Sequence, residues 1–266
     1  MPYPTSYQHP CVFPPRGVIP DRCEAAGSGC NWAVSWIVWF EYQVSRSRNT
    51  RLFGIFWTNY RKRFMFYLSV KWFVYVIFRL FFGLRISGLE HVPATGPVLV
   101  CSNHMSYLDP PVVGVALRHR RLWFMARDSL FTHFLFGRLI RALQALPVKR
   151  GRMDRSSWQV FEHLMETGKA LLLFPEGTRS PDGNLQPGKP GVGLLIYRCS
   201  SATVIPVRVF NTHKALPKAS WRFHLEKIHV VFGPPVDFSP EYRMPRKKST
   251  YLKITEKLMQ AIGALH

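Results

Sequence analysis

The chain has 266 residues, of which 47% are hydrophobic, and 36 Lys and Arg against 15 Asp and Glu give a formal net charge of +21. The hydrophobic content excludes a fully disordered chain, and the length is sufficient for a large core. The charge indicates a polyanionic partner, such as nucleic acid, an anionic membrane surface or a phosphorylated substrate.

The front of the chain differs in composition from the rest. Eighteen of the 38 aromatic residues lie between Trp32 and Phe82, whereas most of the basic residues come later. Residues 1–30 are rich in Pro, Gly, Ser and Cys without periodicity, so we expect a disordered or spurious extension. They lack the basic stretch and apolar core of a secretory signal. Residues 31–84 are predicted to form a membrane-associated helical segment.

One apolar stretch, Phe64–Leu84, is long enough to span a bilayer but contains Lys71 and Arg79. Each charge would cost roughly 2.5–3.5 kcal/mol at the bilayer centre. Basic and tyrosine residues recur every four positions, so a helix would carry them on one face. We predict an amphipathic helix in the headgroup region with this face towards lipid phosphates, and keep burial in the protein and spanning as alternatives. The face comprises Arg63, Tyr67, Lys71, Tyr75 and Arg79.

After Pro97, short apolar runs alternate with helical patterns. The runs predict strands at Pro97–Ser102, Leu122–Ala126, Leu146–Lys149, Ala170–Phe174, Thr203–Phe210 and Ile228–Phe232. Helices are predicted at Pro110–Arg118, Leu130–Ala142, Arg155–Thr167, Val192–Ser200 and Leu252–Leu265. This alternation predicts an α/β domain over residues 85–266, with a mixed, mostly parallel sheet flanked by helices.

The five cysteines of the chain include no CxxC pair. This spacing favours neither a disulfide framework nor a zinc site, and we expect no metal. Cys101 and Cys199 each end an apolar run, so both are predicted to be structural thiols in a reducing compartment.

A histidine and an aspartate follow the first strand of the body. Ligands bind at the carboxyl ends of strands in open α/β sheets, and His104 and Asp109 are separated only by a short turn. A carboxylate bonded to one ring nitrogen would leave the other free to take a proton from an alcohol. Asp109 before Pro110 would also make a good helix N-cap, so a purely structural role is the alternative.

A second polar segment, FPEGTRS, directly follows another predicted strand. Gly177 permits close backbone approach, Thr178 adds a hydroxyl and Arg179 offers a planar fork of donors. These groups suit a phosphate monoester, whereas an ordinary polar turn is the alternative. Basic residues also lie at the end of a predicted strand, in Pro147–Gly151, and at the start of a predicted helix, in Gly188–Gly191. The backbone N–H groups at a helix start can bind an anion.

In this order, the four segments resemble the glycerolipid acyltransferases, specifically the 1-acyl-sn-glycerol-3-phosphate acyltransferase family. Asn103–Asp109 matches the NHxxxxD block of that family, and Phe174–Ser180 matches its FPEGTRS block without departure. Ala145–Arg150 resembles another block, although Pro147 stands where an aromatic or aliphatic residue is common. The resemblance covers approximately Arg85 to Phe238.

The resemblance implies transfer of a fatty acyl group to the sn-2 hydroxyl of 1-acylglycerol 3-phosphate, giving phosphatidic acid. His104 would be the general base, oriented by Asp109. Because a carboxylate repels phosphate, Glu176 is expected to position Arg179 or a glycerol hydroxyl. The residues expected to bind substrate are Asn103, Arg150, Glu176, Gly177, Thr178, Arg179 and Lys189. No metal or other cofactor is implied, and acyl-CoA or acyl carrier protein is the acyl donor.

The expected partners follow from this resemblance and from the charge. We expect a membrane-associated enzyme on an anionic lipid surface, with its active site on the cytoplasmic face. Another lysolipid acceptor, such as a lyso-ornithine lipid, is an alternative. A nucleic-acid-binding module is a distant alternative, because the aromatic residues are not interleaved with the basic ones, and no nucleic acid is expected. The sequence makes no prediction of the oligomeric state.

Overall fold

Seven strands form one sheet within the part of the chain that the structure describes. The structure is a computed structural model that describes residues 50–132, 134–148, 155–217 and 222–266. The strands are β1 (Arg85–Ser87), β2 (Val98–Ser102), β3 (Leu122–Arg127), β4 (Ala145–Val148), β5 (Ala170–Leu173), β6 (Thr203–Phe210) and β7 (His229–Phe232). Their order is β1-β7-β6-β2-β5-β3-β4, and neighbours are parallel except for β6 and β7.

Helices connect the strands and cover the sheet. They are α1 (Thr50–Phe81), α2 (Asp109–Ala116), α3 (Phe134–Ala142), α4 (Arg155–Glu166), α5 (Pro190–Arg198), α6 (Thr212–Ala215), α7 (Ser239–Tyr242) and α8 (Lys248–Gly263). Two 3₁₀ turns lie at Leu89–His91 and Asp128–Phe131.

The layered arrangement follows from the sequence of the central strand. All five residues of β2 are buried, and successive side chains of a strand point to opposite faces. Val98 and Val100 join an apolar cluster with the end of α1, with α2 and with α3, whereas Leu99 and Cys101 join a second cluster with α4, α5 and α8. Both faces of the sheet therefore need helical cover.

The predicted fold class is confirmed, with most of its elements. Thr203–Phe210 is a strand with the predicted bounds, and the other five predicted strands begin and end within one or two residues of prediction wherever the chain is described. The strand Arg85–Ser87 was not predicted, because three residues carry too little apolar pattern. The predicted helix Leu130–Ala142 is divided into the 3₁₀ turn Asp128–Phe131 and α3.

The orientation predicted for the front helix is wrong at its centre. Tyr67 and Lys71 are buried, with exposed fractions of 4% and 8%, and Tyr75 packs partly buried against the core. The Lys71 Nζ donates hydrogen bonds to the carbonyls of Leu117 (2.7 Å) and Arg120 (3.0 Å). Leu117 is the C-cap of α2, where carbonyls lack intrahelical partners and carry partial negative charge, and Arg120 lies in the following turn, so both carbonyls are available to the ammonium group. This face of α1 therefore packs on the protein, as in the alternative of burial.

From Met65 onwards, the outward face of α1 is largely apolar. Large exposed side chains on it are Met65, Phe66, Leu68, Trp72, Phe73, Leu80 and Phe81. Arg79 is exposed as well, whereas the side chain of Arg63 lies outside the described part. Among the described helices, none combines the length and hydropathy that a membrane crossing requires. The expectations for residues 1–30 and 31–49 lie outside the described residues.

Candidate active site

The two polar segments meet at one edge of the sheet. The segment with His104 leaves the carboxyl end of β2, and the segment with Glu176 leaves the carboxyl end of β5. These strands are parallel neighbours, with Cys101 opposite Leu173. Their following loops therefore emerge side by side at the edge where open α/β sheets bind ligands.

The histidine and the aspartate are hydrogen-bonded. His104 Nδ1 lies 2.8 Å from Asp109 Oδ2, and the aspartate is completely buried. Oδ2 also accepts the backbone N–H groups of Met105 (2.6 Å) and Ser106 (2.8 Å), and Oδ1 accepts the Thr212 hydroxyl (2.5 Å). Asp109 is the first residue of α2, and its carboxylate turns back towards the preceding turn rather than serving only as a helix cap. The four donors compensate for its removal from water.

The FPEGTRS segment holds the histidine from the side of β5. The backbone N–H of His104 donates to Glu176 Oε1 (2.9 Å), and its carbonyl accepts the N–H of Ser180 (2.7 Å). Its ring stacks on Phe174, with 4.0 Å between the ring centroids. The side chain keeps 17% exposure. The imidazole is thus fixed in orientation, and Nε2 is the ring nitrogen that Asp109 does not engage.

Glu176 is a buried carboxylate beside this histidine, with 2% exposure. Burial raises its pKa to about 7, partly offset by the backbone N–H groups of His104 and Gln186, while the nearby Asp109 raises it further. Its Oε2 has no hydrogen-bond partner within the described residues. In the structure, Glu176 therefore holds the backbone of His104 through Oε1. The predicted contact with a glycerol hydroxyl stays a prediction, for which Oε2 is the available atom.

The basic residues of the site lie on a rim next to the dyad. The Arg179 guanidinium carbon lies 3.6 Å from the centroid of the Tyr107 ring, so the planar group stacks on the aromatic face. Lys189 passes over Gly177, which has φ of +64°, and a Cβ at this glycine would lie 3.0 Å from the Lys189 Cδ. Thr178 is exposed beside them. Four predicted substrate-binding residues thus share one rim.

Another predicted substrate-binding residue, Asn103, does not belong to this rim. The amide of Asn103 is 4% exposed, donates to the carbonyl of Val209 (3.0 Å) and accepts its N–H (2.8 Å). Asn103 therefore joins the end of β2 to β6, and its predicted contact with substrate stays a prediction. Arg150 lies outside the described residues.

Sequence reasoning missed two residues that shape the site. Thr212 lies 103 positions from the aspartate that it contacts, and a single threonine after a strand carries no local signal. Tyr107 lies inside the first motif, but nothing in the sequence indicates that it meets Arg179. The nearest sequence signal is the predicted end of a strand at Phe210, but the pairing of that strand with β2 is visible only in the structure.

The two described cysteines are free and buried. Burial raises the pKa of the Cys101 thiol above its ordinary range, and burial together with the neighbouring Glu162 raises that of Cys199 to about 12. A reactive cysteine needs its thiolate, which neither residue forms near neutral pH. Their predicted role as structural thiols agrees with this chemistry.

Comparison with known proteins places these residues in a family. The family model described as Acyltransferase matches residues 83–210. The chloroplastic 1-acyl-sn-glycerol-3-phosphate acyltransferase of Arabidopsis thaliana is 30% identical over 173 residues, which are 63% of this chain and 47% of that protein. The Bacillus subtilis protein of that name is 25% identical, with coverage of 71% and 92%. A lyso-ornithine lipid O-acyltransferase of Rhodobacter capsulatus is also 25% identical, with coverage of 61% and 64%.

The fold has a solved counterpart. The crystal structure of PlsC, the 1-acyl-sn-glycerophosphate acyltransferase of Thermotoga maritima, aligns with a TM-score of 0.62 at 22% identity, covering 88% of this chain and 90% of that one. The chain spans about half the length of the plant relatives it matches. Both motifs that form the site lie inside the region matched by the family model. Residues 83–210 thus match the acyltransferase family, as the motifs predicted, and the chain is similar to 1-acyl-sn-glycerol-3-phosphate acyltransferases.

Proposed function

We propose that the protein is an acyltransferase that moves a fatty acyl group from a thioester to the sn-2 hydroxyl of 1-acylglycerol 3-phosphate, giving phosphatidic acid. The single observation that supports this reaction most directly is the 2.8 Å contact between His104 Nδ1 and Asp109 Oδ2. It keeps one ring nitrogen occupied and leaves Nε2 for the acceptor hydroxyl. The curated relatives that bear the same activity in their names support the choice of acceptor.

The proposed reaction needs one proton relay. Nε2 of His104 takes the hydroxyl proton while the hydroxyl oxygen attacks the thioester carbonyl. The tetrahedral intermediate then expels the thiolate, which receives the proton from the imidazolium. The new ester and the free thiol balance the step, and no covalent enzyme intermediate is required. Asp109 stabilises the imidazolium while it exists, and Glu176 and Phe174 hold the ring in place.

The rim is proposed to bind the acceptor phosphate. Arg179 supplies a planar guanidinium and Lys189 a point charge, both beside the exposed backbone of Gly177. Stacking on Tyr107 restricts the rotation of the guanidinium, so less entropy is lost when it binds phosphate. The predicted set of substrate-binding residues is completed by Asn103, Arg150, Glu176 and Thr178.

The donor and the location are proposed from chemistry. Acyl-CoA or acyl carrier protein would supply the thioester, and the mechanism uses no metal or other cofactor. The apolar outward face of α1 and the net charge of +21 favour an anionic membrane surface, with the site on the cytoplasmic face, where these thioesters occur.

A second acceptor is the lyso-ornithine lipid, because one relative bears that activity in its name. The ornithine head group offers a carboxylate and an ammonium group instead of a phosphate monoester. The two acceptors therefore differ in the anion that Arg179 would bind.

The deciding experiment uses the purified protein, labelled acyl-CoA and a panel of lysolipids, with His104→Ala as the inactive control. Product from 1-acylglycerol 3-phosphate, absent with His104→Ala, is the expected result. Preferential acylation of lyso-ornithine lipid would overturn the choice of acceptor. Absence of acyl transfer to any lysolipid, from either acyl-CoA or acyl carrier protein, would overturn the proposed function.

A further inference from the structure

A buried threonine from a distant part of the chain contacts the aspartate of the dyad. Thr212 has no solvent exposure, and its Oγ1 donates to Asp109 Oδ1 over 2.5 Å. It is the first residue of α6, which starts two residues after the end of β6. Thr212 therefore approaches the dyad from β6, on the opposite side of β2 from the FPEGTRS segment.

The turn that presents Thr212 is fixed by its neighbours. Asn211 has φ of +65°, in the left-handed region that asparagine tolerates, and its side chain donates to the carbonyl of Lys227 (2.9 Å). The far end of α6 is held as well, because the Ser106 hydroxyl donates to the carbonyl of Leu216 (2.8 Å). The hydroxyl of Thr212 is thus delivered by a backbone anchored at both ends.

The contact between Thr212 and Asp109 matters because the two carboxylate oxygens receive their hydrogen bonds from different parts of the chain. Oδ2 of Asp109 receives His104 Nδ1 and two backbone N–H groups, all from the loop after β2. Oδ1 receives the hydroxyl of Thr212. A donor on the second oxygen opposes rotation of the carboxylate about its Cβ–Cγ bond, so Oδ2 stays aimed at the imidazole.

We propose that Thr212 is a positioning residue of the acyl-transfer site, whose hydroxyl fixes the Asp109 carboxylate so that the His104 proton stays on Nδ1. The expected effect of Thr212 on the reaction rate rests on the proposed function, whereas its expected effect on the tautomer of His104 does not. Thr212 acts through the aspartate and touches no reacting atom.

The test compares Thr212→Val, which keeps the shape and removes the hydroxyl, with Thr212→Ser, which keeps the hydroxyl. Loss of a hydrogen bond to a buried charged group lowers kcat roughly ten- to hundredfold in Thr212→Val. The KM values of both substrates change little, and Thr212→Ser recovers most of the rate. Thr250→Val is the matched control, because Thr250 is also buried and donates to a backbone carbonyl, that of Pro245, away from the site.

Two further measurements separate positioning from general stability. In an Asp109→Asn background, adding Thr212→Val costs little further rate, because the group it acts through is already lost. In protein labelled with ¹⁵N-histidine, the His104 signal, identified by its absence in His104→Gln, shows a smaller share of the Nδ1–H tautomer in Thr212→Val.

Each outcome has a distinct meaning. Wild-type kcat in Thr212→Val, an equal loss in the two backgrounds, or no recovery in Thr212→Ser would overturn the proposal. If the wild-type protein acylates no lysolipid, the proposed function fails, whereas the tautomer measurement still decides the role of Thr212. An unchanged tautomer ratio in Thr212→Val would refute that role.

Discussion

The buried lysine of the front helix makes the stability of the protein depend on pH in a way that can be calculated. Burial, with repulsion from Arg121, lowers the pKa of Lys71 from its ordinary 10.5 to about 8. Between these two values, the unfolded chain holds a proton that the native protein has released. The free energy of unfolding therefore rises with pH in this range.

The size of the effect follows from the two pKa values. The full interval corresponds to about 3 kcal/mol, of which about 2.5 kcal/mol falls between pH 7 and pH 10. Lys71→Met removes the titrating group and keeps an apolar chain of similar length. Relative to this variant, the wild-type protein is expected to gain about 2–3 kcal/mol of stability over that pH range. Contributions from all other titrating groups cancel in the difference.

Urea unfolding in detergent micelles, followed by tryptophan fluorescence at several pH values, measures this difference. Lys253→Met, which replaces an exposed lysine of α8, is the matched control. A pH-independent difference between wild type and Lys71→Met would refute the effect of burial. A wild-type protein that loses stability relative to the variant at high pH would mean that the carbonyls of Leu117 and Arg120 stabilise the charged form more than burial opposes it.

The other predictions concern the site. His104→Ala lowers kcat roughly 10²–10⁴-fold, and Asp109→Asn also loses most activity, because the imidazole adopts the wrong tautomer. In steady-state assays, Arg179→Lys raises the KM for 1-acylglycerol 3-phosphate more than the KM for the thioester, and Tyr107→Leu has the same effect to a smaller extent. Equal changes in the two KM values would exclude a phosphate contact. Burial raises the pKa of Glu176 from 4.5 to about 7, so between these pH values the native protein holds a proton that the unfolded chain has released. The free energy of unfolding therefore falls with rising pH, by up to about 3 kcal/mol. Glu176→Gln removes this slope in unfolding experiments at pH 5 and pH 8, and an unchanged slope would contradict it.

The strands of the body could be predicted because each is a buried apolar run ended by polar residues. His104 and Glu176 could be placed at strand ends for the same reason. Their contact could not be predicted, because it depends on β5 pairing with β2, and strand order is not a local property of sequence. Thr212 escaped prediction for the same reason.

The front helix shows a different limit. The four-residue spacing of Tyr67, Lys71 and Tyr75 correctly indicates one face of a helix, but spacing does not say what that face meets. A lysine is ordinarily expected to face solvent or phosphate, because burial of its charge is costly. Here the C-cap of α2 and the turn after it offer carbonyl acceptors, which only the folded structure reveals.

The position of β5 between β2 and β3 has a consequence for synthesis of the protein on the ribosome. The chain completes β2 and β3 first, yet these two strands are separated in the sheet by a strand made some 40 residues later. The loop with His104 then acquires its supports from Glu176 and, later still, from Thr212. A nascent chain therefore has no organised dyad until most of its length has emerged.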